Sequence, residues 1–312
     1  MHHLHLVQTV GGTPMVELRH LSPKPGVRLF AKLEGWNPTG SIKDRIVRHM
    51  LQHAERDGLI VPGDTVIEAS TGNTGIALAM IGRALGYRAH IVMPENVYPE
   101  IPRTLAVYDA HVEWVPAAAG VTGAMDVGRR RAKETGCFML DQFSNPHNAR
   151  AHYVWTGAEI LADVPEVDLL VAGVGTGGTV MGAGQRIKEA NPHARVIAVE
   201  PQPGSAVQGL KSLADGFIPP ILDLGFLDGK VLVRSSQAFR AARLLMQREG
   251  IFGGVSAGAV LHAGLRFAAR MTRGNVVLVF ADSGWKYLDT NLWTREDPTE
   301  EEAEELDETI WW

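Results

Sequence analysis

The segment DLLVAGVGTGGTVMGAGQRIKEA, residues 168–190, places an apolar run, a glycine-rich loop and a helix-forming stretch in succession. A short apolar run such as DLLVAG is typical of a strand buried in a parallel sheet. A loop that joins a strand to a helix directs backbone N–H groups and the positive end of the helix dipole toward an anion. The segment therefore predicts a strand–loop–helix unit of an α/β fold, with a phosphate-binding loop at 173–179.

The same succession of strand and helix repeats along most of the chain. The predicted strands are TVIEA (65–69), RAHIVM (88–93), HVEWV (111–115), DLLVAG (168–173), RVIAVE (195–200) and NVVLVFA (275–281). The predicted helices cover 73–86, 99–109, 121–136, 150–162, 179–190, 236–249 and 257–272. This alternation predicts parallel sheets covered by helices on both faces, and 312 residues fit two such sheets better than one.

The composition argues against several classes of protein. With 45% hydrophobic and 21% charged residues it is typical of a soluble chain, and neither a membrane span nor an apolar leader is visible, so we expect a cytoplasmic location. Cys137 is the single cysteine, which excludes a disulfide framework and a multi-cysteine metal site. The histidines at positions 2, 3 and 5 have no matching metal-ligand spacing, and we predict no metal site.

The net charge of −5 is unevenly distributed. Nine of the 35 acidic residues lie between 296 and 308, which leaves 26 against 30 Lys and Arg, a net charge of +4, for the rest of the chain. So small a positive charge, with no basic stripe interleaved with aromatic residues, does not favour nucleic-acid binding.

Three loops at the predicted carboxyl ends of strands or the start of helices are built from Gly, Ser and Thr. They are EASTGNTG (68–75), GVGTGGT (173–179) and GGVSAGA (253–259). In parallel α/β sheets, ligands bind in such loops. We therefore expect the functional site to be formed there.

A lysine near a predicted helix start adds a further candidate. In NPTGSIKDRIVRHML (37–51), Ser41 and Asp44 have the spacing of a capping box, which places Lys43 in the first turn of a helix. The helix dipole disfavours an ammonium group there. Lys43 is either a solvated surface lysine or an amine that must lose its proton easily, as a Schiff-base lysine does.

The glycine loop at 173–179 is compatible with two cofactors. Gly173, Gly175 and Gly178 form G-x-G-x-x-G, and Glu200 follows 22 residues after the last of them, which is the pattern of an NAD-dependent oxidoreductase. That hypothesis has no role for Lys43 or for the other two loops. Pyridoxal phosphate would use an amine, a phosphate-binding loop, partners for its ring and a carboxylate pocket for its substrate, so the set of motifs favours it and leaves the oxidoreductase as the rival.

Seven motifs together resemble a known family. They are NPTGSIKDR, STGNTGIALAM, QFSNPHNARAHY, VAGVGTGGTVMGAG, AVEP, GFIP and GVSAGAV, and their order and spacing are similar to those of the cysteine synthases, fold type II pyridoxal-phosphate enzymes that act as O-acetylserine or O-phosphoserine sulfhydrylases. The resemblance extends from residue 11 to about residue 288. It implies two parallel-sheet αβα domains with the cofactor in the cleft between them, and a homodimer. The large domain would comprise 11–36 and 147–312, and the small mobile domain 37–146.

The resemblance also implies a role for each motif residue. Lys43 would bind pyridoxal 5′-phosphate covalently and then serve as the base for the α-proton. The phosphate would be bound by Gly175, Thr176, Gly177, Gly178 and Thr179, the ring hydroxyl by Asn73 and the ring nitrogen by Ser256. The substrate carboxylate would be bound by Ser70, Thr71, Gly72 and Thr74 together with Gln142.

The implied reaction is β-replacement: O-phosphoserine or O-acetylserine loses its β-substituent to give α-aminoacrylate, and a sulfur nucleophile then adds to give L-cysteine. The sulfur donor would be sulfide or a thiocarboxylated sulfur-carrier protein. Because the neutral hydroxyl of Ser256 does not force the cofactor ring to be protonated, elimination is favoured over transamination. Cystathionine β-synthase and other β-replacement synthases of the same fold are alternatives.

Three stretches depart from the family pattern. Ser70-Thr71 replaces the usual Thr-Ser, and MPENVYPEIPRTLAVYDA (93–110) introduces prolines where the family has a moving lid. The stretch after AVEP is short, and Lys211 lies where the O-phosphoserine-using branch has a basic residue that could bind a phosphate leaving group. A solvated loop lysine is the alternative for Lys211.

The chain ends in EEEAEELDETIWW (300–312). Such acidic runs are usually solvated, but two terminal tryptophans are costly to expose to water. We hypothesise that Trp311 and Trp312 cover the active-site opening until the sulfur donor displaces them.

Overall fold

The computed structural model of the chain describes residues 5–205, 207–290 and 293. The predicted docking of the acidic tail, 296–312, lies outside these residues. None of the helices within the described ranges is long and apolar enough to cross a lipid bilayer.

Ten β-strands occur among the described residues. In chain order they are β1 (Met15–Glu17), β2 (Val27–Leu33), β3 (Thr65–Ala69), β4 (Arg88–Pro94), β5 (His111–Val115), β6 (Phe138–Met139), β7 (Leu169–Gly173), β8 (Arg195–Pro201), β9 (Gly229–Val233) and β10 (Gly274–Phe280). The six strands predicted from the sequence are β3, β4, β5, β7, β8 and β10, which confirms that apolar runs of five to seven residues were correctly interpreted as strands.

The α-helices of the same ranges are α1 (Lys43–Arg56), α2 (Asn73–Leu85), α3 (Glu100–Val107), α4 (Gly120–Thr135), α5 (Pro146–Ala151), α6 (Gly157–Asp163), α7 (Gly178–Ala190), α8 (Ser235–Glu249) and α9 (Val255–Ala268). Short 3-10 turns are formed by Leu6–Thr9, Glu34–Trp36, Ala117–Ala119, Leu213–Asp215, Leu224–Phe226 and Gly284–Thr290. The helix predicted at 150–162 is interrupted by a π-helical turn, His152–Thr156, that joins α5 to α6.

The described residues fold as two compact units. The first contains Asn37–Asn148 and the N-terminal residues through Gly11. The second contains Gly12–Trp36 and the described residues from Ala149 onward.

The first unit is built on a four-stranded sheet with the order β5-β4-β3-β6. All its neighbouring strands are parallel. Helices α2 and α4 pack against β3 and β4, and α1 packs against α2. Because β3 and β4 are buried along nearly their whole length, apolar residues occupy consecutive positions in both strands instead of alternating with polar ones.

The second unit is built on a six-stranded sheet with the order β1-β2-β10-β7-β8-β9. Its strands are parallel except for β1, which pairs with β2 in the antiparallel direction. Helix α9 packs against β7 and β10, while α7 packs against β7 and β8. Two parallel αβα sheets are therefore confirmed, and the antiparallel edge strand is an addition that the sequence did not indicate.

Candidate functional site

Lys43 is the first residue of α1 and is partly buried. Its backbone N–H donates to Ser41 Oγ over 3.3 Å, so Ser41 contributes to the helix start as predicted. The capping box predicted with Ser41 as the cap residue is wrong, because Ile42 caps the helix and makes no side-chain cap hydrogen bond. The Asp44 carboxylate accepts from the Thr39 N–H (2.7 Å) and from the Thr39 hydroxyl. Since Ser41 and Asp44 are both fully buried, these bonds fix the turn that presents Lys43.

The loop after β3 is organised around the hydroxyl of Ser70. Its Oγ accepts from the N–H of Gly72 (3.1 Å) and the N–H of Gly75 (2.9 Å), which wraps the loop around a buried side chain. Helix α2 begins at Asn73, directly after this turn. The first N–H groups of a helix have no preceding carbonyl within the helix to accept them, so this helix start is suited to an anionic group.

Gln142 is hydrogen-bonded to the same loop. Thr74 Oγ1 donates to Gln142 Oε1 over 2.7 Å, and Gln142 Nε2 donates to Glu68 Oε1 and to the carbonyl of Ala69, both at 3.1 Å. Asn148 Nδ2 also donates to the backbone carbonyl of Gln142 (2.7 Å). The structure therefore brings together Thr74 and Gln142, which are 68 residues apart in the sequence.

Glu68 is a site residue that the sequence analysis did not single out. It is fully buried in β3, and burial, followed by the nearby Asp141 carboxylate, raises its pKa to about 8. At neutral pH Glu68 is therefore protonated, and one of its oxygens fixes the orientation of the Gln142 amide. The available signal was an acidic residue inside the apolar strand TVIEA, immediately before the loop.

The glycine loop of the second unit packs closely against neighbouring segments. Gly177 has a φ of +87°, in the left-handed region, and a Cβ there would lie 2.9 Å from the Cβ of Leu222. At Gly175 a Cβ would lie 3.0 Å from the Gly209 carbonyl oxygen. Glycine at these positions therefore permits the tight turn that leads into helix α7, which begins at Gly178. The start of such a helix has free N–H groups that suit an anion.

Thr179 in this loop contacts a second residue that the sequence analysis missed. Thr179 Oγ1 lies 3.4 Å from His152 Nε2, and His152 Nδ1 lies 3.0 Å from Thr156 Oγ1. His152 is buried in the π-helical turn, and such turns are frequent at functional sites. The turn lies close to α7 because Gly182 has no side chain, since a Cβ there would come within 1.9 Å of the Ala149 carbonyl oxygen.

Lys211 and Ser256 lie beside the same glycine loop. The Lys211 N–H donates to the Val174 carbonyl over 2.8 Å, and a Cβ at Gly209 would lie 3.9 Å from Ser256 Oγ. The Lys211 ammonium stacks on the ring of Phe217 at 4.7 Å. Burial lowers the pKa of Lys211, and Asp215 opposes this shift. Lys211 is thus partly buried, with its backbone hydrogen-bonded to the loop, and its role as a phosphate-binding residue stays a prediction.

The carboxylate that a dinucleotide site would use to bind a ribose hydroxyl already contacts other groups of the protein. Glu200 is 1% exposed. One of its carboxylate oxygens lies 2.8 Å from Lys230 Nζ, and the other accepts from the Leu213 N–H over 2.6 Å. A ribose hydroxyl would have to displace one of these contacts, which disfavours the oxidoreductase hypothesis.

The predicted site residues thus form one group in each unit. Ser70, Thr71, Gly72, Asn73, Thr74 and Gln142 surround the start of α2, and Lys43 begins the helix that packs against it. Gly175, Thr176, Gly177, Gly178 and Thr179 surround the start of α7, with Lys211 and Ser256 beside them.

Comparisons with known proteins identify the family of the chain. A family model described as "Pyridoxal-phosphate dependent enzyme" matches residues 6–282. A cysteine synthase of Staphylococcus aureus (strain Mu50 / ATCC 700699) is 37% identical over 302 residues, which covers 94% of this chain and 97% of the relative.

Solved structures are similar over nearly the whole chain. A cysteine synthase from Entamoeba histolytica has a TM-score of 0.89 and 32% identity, covering 100% of this chain and 96% of its own. The structure of an O-ureido-L-serine synthase also has a TM-score of 0.89, with 34% identity, and covers 97% of this chain and 99% of its own.

Proposed function

We propose that this chain, which belongs to the family of pyridoxal-phosphate dependent enzymes, is a cysteine synthase. The reaction replaces the β-substituent of O-phosphoserine or O-acetylserine with sulfur to give L-cysteine. The observation that carries the proposal is the glycine loop at the start of α7, whose backbone suits one phosphate group while Glu200 is held by Lys230 and Leu213.

Pyridoxal 5′-phosphate, the cofactor of this family, is compatible with the side chains present. Because Cβ atoms at Gly175 and Gly177 would collide with Gly209 and Leu222, only glycine permits the tight turn that brings the loop to the start of α7, where backbone N–H groups suit a phosphate group. We propose that Gly175–Thr179 bind that phosphate. Lys43 holds the cofactor through its amine.

Two further residues would contact the cofactor ring. Asn73, at the start of α2, binds the ring hydroxyl, and Ser256, in the first turn of α9, binds the ring nitrogen. A hydroxyl at that position would not force the nitrogen to be protonated, because it does not supply the negative charge that would favour a pyridinium.

The loop at Ser70–Thr74 would bind the substrate carboxylate. Its geometry supports this role because Ser70 organises the backbone of the turn and Gln142 holds Thr74. Glu68 acts indirectly by orienting the Gln142 amide. A carboxylate at the start of α2 also interacts favourably with the helix dipole.

Lys43 would move the proton in the reaction. The substrate amine would first replace the Lys43 amine on the cofactor. The freed Lys43 amine would then remove the α-proton of the amino acid, the bond between Cβ and the ester oxygen would break, and phosphate or acetate would leave with the bonding electrons. Sulfide then forms a bond to Cβ, and the proton returns to Cα. Bound pyridoxal phosphate supplies the conjugated ring that accepts the electron pair from Cα.

Lys211 would favour O-phosphoserine over O-acetylserine. Its backbone is hydrogen-bonded to the glycine loop at Val174, and its partly desolvated ammonium would form a stronger ion pair with a phosphate leaving group than it would in water. We expect Lys211→Ala to raise the KM for O-phosphoserine at least tenfold more than the KM for O-acetylserine. Arg248→Ala, which removes an exposed charge from the same unit, is the control.

The decisive experiment measures cysteine formation from each serine ester with sulfide. The purified protein should carry a visible absorbance band from its cofactor, and Lys43→Ala should lose both this band and turnover. Lys133→Ala, an exposed lysine of the same unit, should retain both. A colourless protein that binds NAD, or turnover that survives Lys43→Ala, would contradict the proposal.

The domain roles, assembly and location expected from the sequence remain predictions. We propose that 37–146, which lie within the first unit, form the small mobile domain and that 11–36 and 147–312 form the large cofactor-binding domain of a cytoplasmic homodimer. Light scattering of the purified protein would test the dimer.

A further inference from the structure

Three histidines that have no role in the site assigned above come together in the first unit. His49 and His53 lie one turn apart on α1, and His147 lies in the first turn of α5. The ring centroids of His49 and His53 are 4.0 Å apart, and those of His53 and His147 are 4.2 Å apart. One ring nitrogen from each residue lies within 4.8 Å of the other two.

The tautomer of His53 is determined by its surroundings. Its Nδ1 lies 2.8 Å from the backbone carbonyl oxygen of His49, and a carbonyl can only accept a hydrogen bond. Nδ1 therefore carries the proton, and the lone pair is on Nε2. This is the arrangement found in metal-binding histidines, in which a carbonyl orients the ring and increases its basicity.

His147 offers a nitrogen that protein groups do not satisfy. Its Nδ1 is buried and has no hydrogen-bond partner in the part of the chain that the structure describes. A buried nitrogen of this kind is costly unless a water or an ion occupies the space beside it. The third residue, His49, is 6% exposed, whereas His53 and His147 are partly exposed, so the cluster is buried at His49 and partly open to solvent at the other two residues.

We propose that His49, His53 and His147 form a binding site for a divalent transition-metal ion such as Zn²⁺, with water as the fourth ligand. Neutral imidazoles suit zinc, copper and nickel better than calcium or magnesium. A tetrahedral zinc ion with Zn–N bonds of about 2.0–2.1 Å holds its nitrogens about 3.4 Å apart. The ring nitrogens of the three histidines lie up to 4.8 Å apart, and rotation of the side chains can bring them to the shorter separation of a zinc site.

The ion would connect two segments that also serve the site. Helix α1 begins with Lys43, and His147 precedes Asn148, whose side chain donates to the Gln142 carbonyl. A metal bond between α1 and the start of α5 would therefore stabilise the first unit near both groups. Only His49 and His53 show a regular spacing in the sequence, and His147 follows 94 residues later, which is why the motif search predicted no metal site.

The test is equilibrium dialysis of the cofactor-loaded protein against zinc chloride alone. All variants should carry Asn at positions 2 and 3, because the N-terminal histidines could bind zinc independently. His53→Gln and His147→Gln should each weaken zinc binding at least tenfold. The double variant His90→Gln/His111→Gln removes another pair of contacting rings, 4.6 Å apart, and should bind zinc as the parent does.

Two further measurements keep the test independent of folding and turnover. Zinc should raise the Tm of the parent and of the His90/His111 control, but not that of His53→Gln or His147→Gln. X-ray absorption at the zinc edge should show about three imidazole nitrogens at about 2.0 Å. Equal zinc binding by the parent and both single variants, or no stoichiometric binding by the parent, would overturn the proposal.

Discussion

Replacing Glu68 with Gln should change how the stability of the protein depends on pH. Glu68 is fully buried in β3, and one of its oxygens accepts a hydrogen bond from Gln142. The other, Oε2, is buried without a partner among the described residues. Glutamine keeps the acceptor for Gln142 and has nearly the same shape, but it cannot ionise.

The expected magnitude follows from the pKa of Glu68, which is raised from 4.5 to about 8. Between these values the native state holds a proton that the unfolded chain has released. The native state then binds more protons, so the free energy of unfolding decreases as the pH rises. From pH 5 to pH 8 this single group should lower the free energy of unfolding of the wild-type protein by about 4 kcal/mol.

The assay is urea unfolding of the wild type and Glu68→Gln at several pH values between 5 and 8. The variant should lose less stability over this range, and the gap between the two curves should widen with pH. Glu95→Gln replaces an exposed glutamate of the same unit and should follow the wild type. Parallel curves for wild type and Glu68→Gln would show that Glu68 is ionised in the native state and would refute the reasoning.

Two other substitutions test the candidate site directly. Thr74→Val removes the hydroxyl that donates to Gln142. In steady-state kinetics the variant should show a KM for the amino-acid substrate raised about three- to tenfold, with the cofactor absorbance unchanged. An unchanged KM would count against a role of this loop in binding the substrate carboxylate. Gly177→Ala places a side chain at a residue with a left-handed conformation, which costs about 1–2 kcal/mol, and brings its Cβ into contact with neighbouring atoms. We therefore expect at least a tenfold loss of pyridoxal-phosphate affinity, measured by titrating the apoprotein with the cofactor. Gly204→Ala has a similar φ of +82° in open space and should leave that affinity unchanged; equal losses in both variants would contradict a specific role for the loop.

Much of the fold could be predicted because it is encoded locally. The strands β3, β4, β7, β8 and β10 are apolar runs long enough to be recognised by themselves, and each is buried in a parallel sheet. The edge strands β1 and β9 were harder to predict from the sequence. β1 has three residues and β9 alternates exposed and buried positions, so neither forms a continuous apolar run.

The helix interruption at His152–Thr156 depends on packing that no local pattern reveals. The segment approaches α7 at Gly182, where even a methyl group would collide with the Ala149 carbonyl. Likewise, the capping-box spacing of Ser41 and Asp44 was present, but the Asp44 carboxylate binds Thr39 instead. A local sequence pattern indicates which hydrogen-bond partners are possible, and the tertiary contacts determine which of them form.

The sequence by itself determined the parallel αβα architecture, the glycine loop at 173–179 and the identity of the candidate lysine, because apolar runs, glycines and helix starts act over a few neighbouring residues. Only the tertiary structure decided that Glu68 is protonated, that Glu200 is held by Lys230, and that His147 lies beside α1. These three outcomes depend on burial and on contacts between residues 30 to nearly 100 positions apart in the sequence. The charge of a side chain and the availability of its lone pair are set by the groups around it in space, and a local sequence pattern does not reveal those groups.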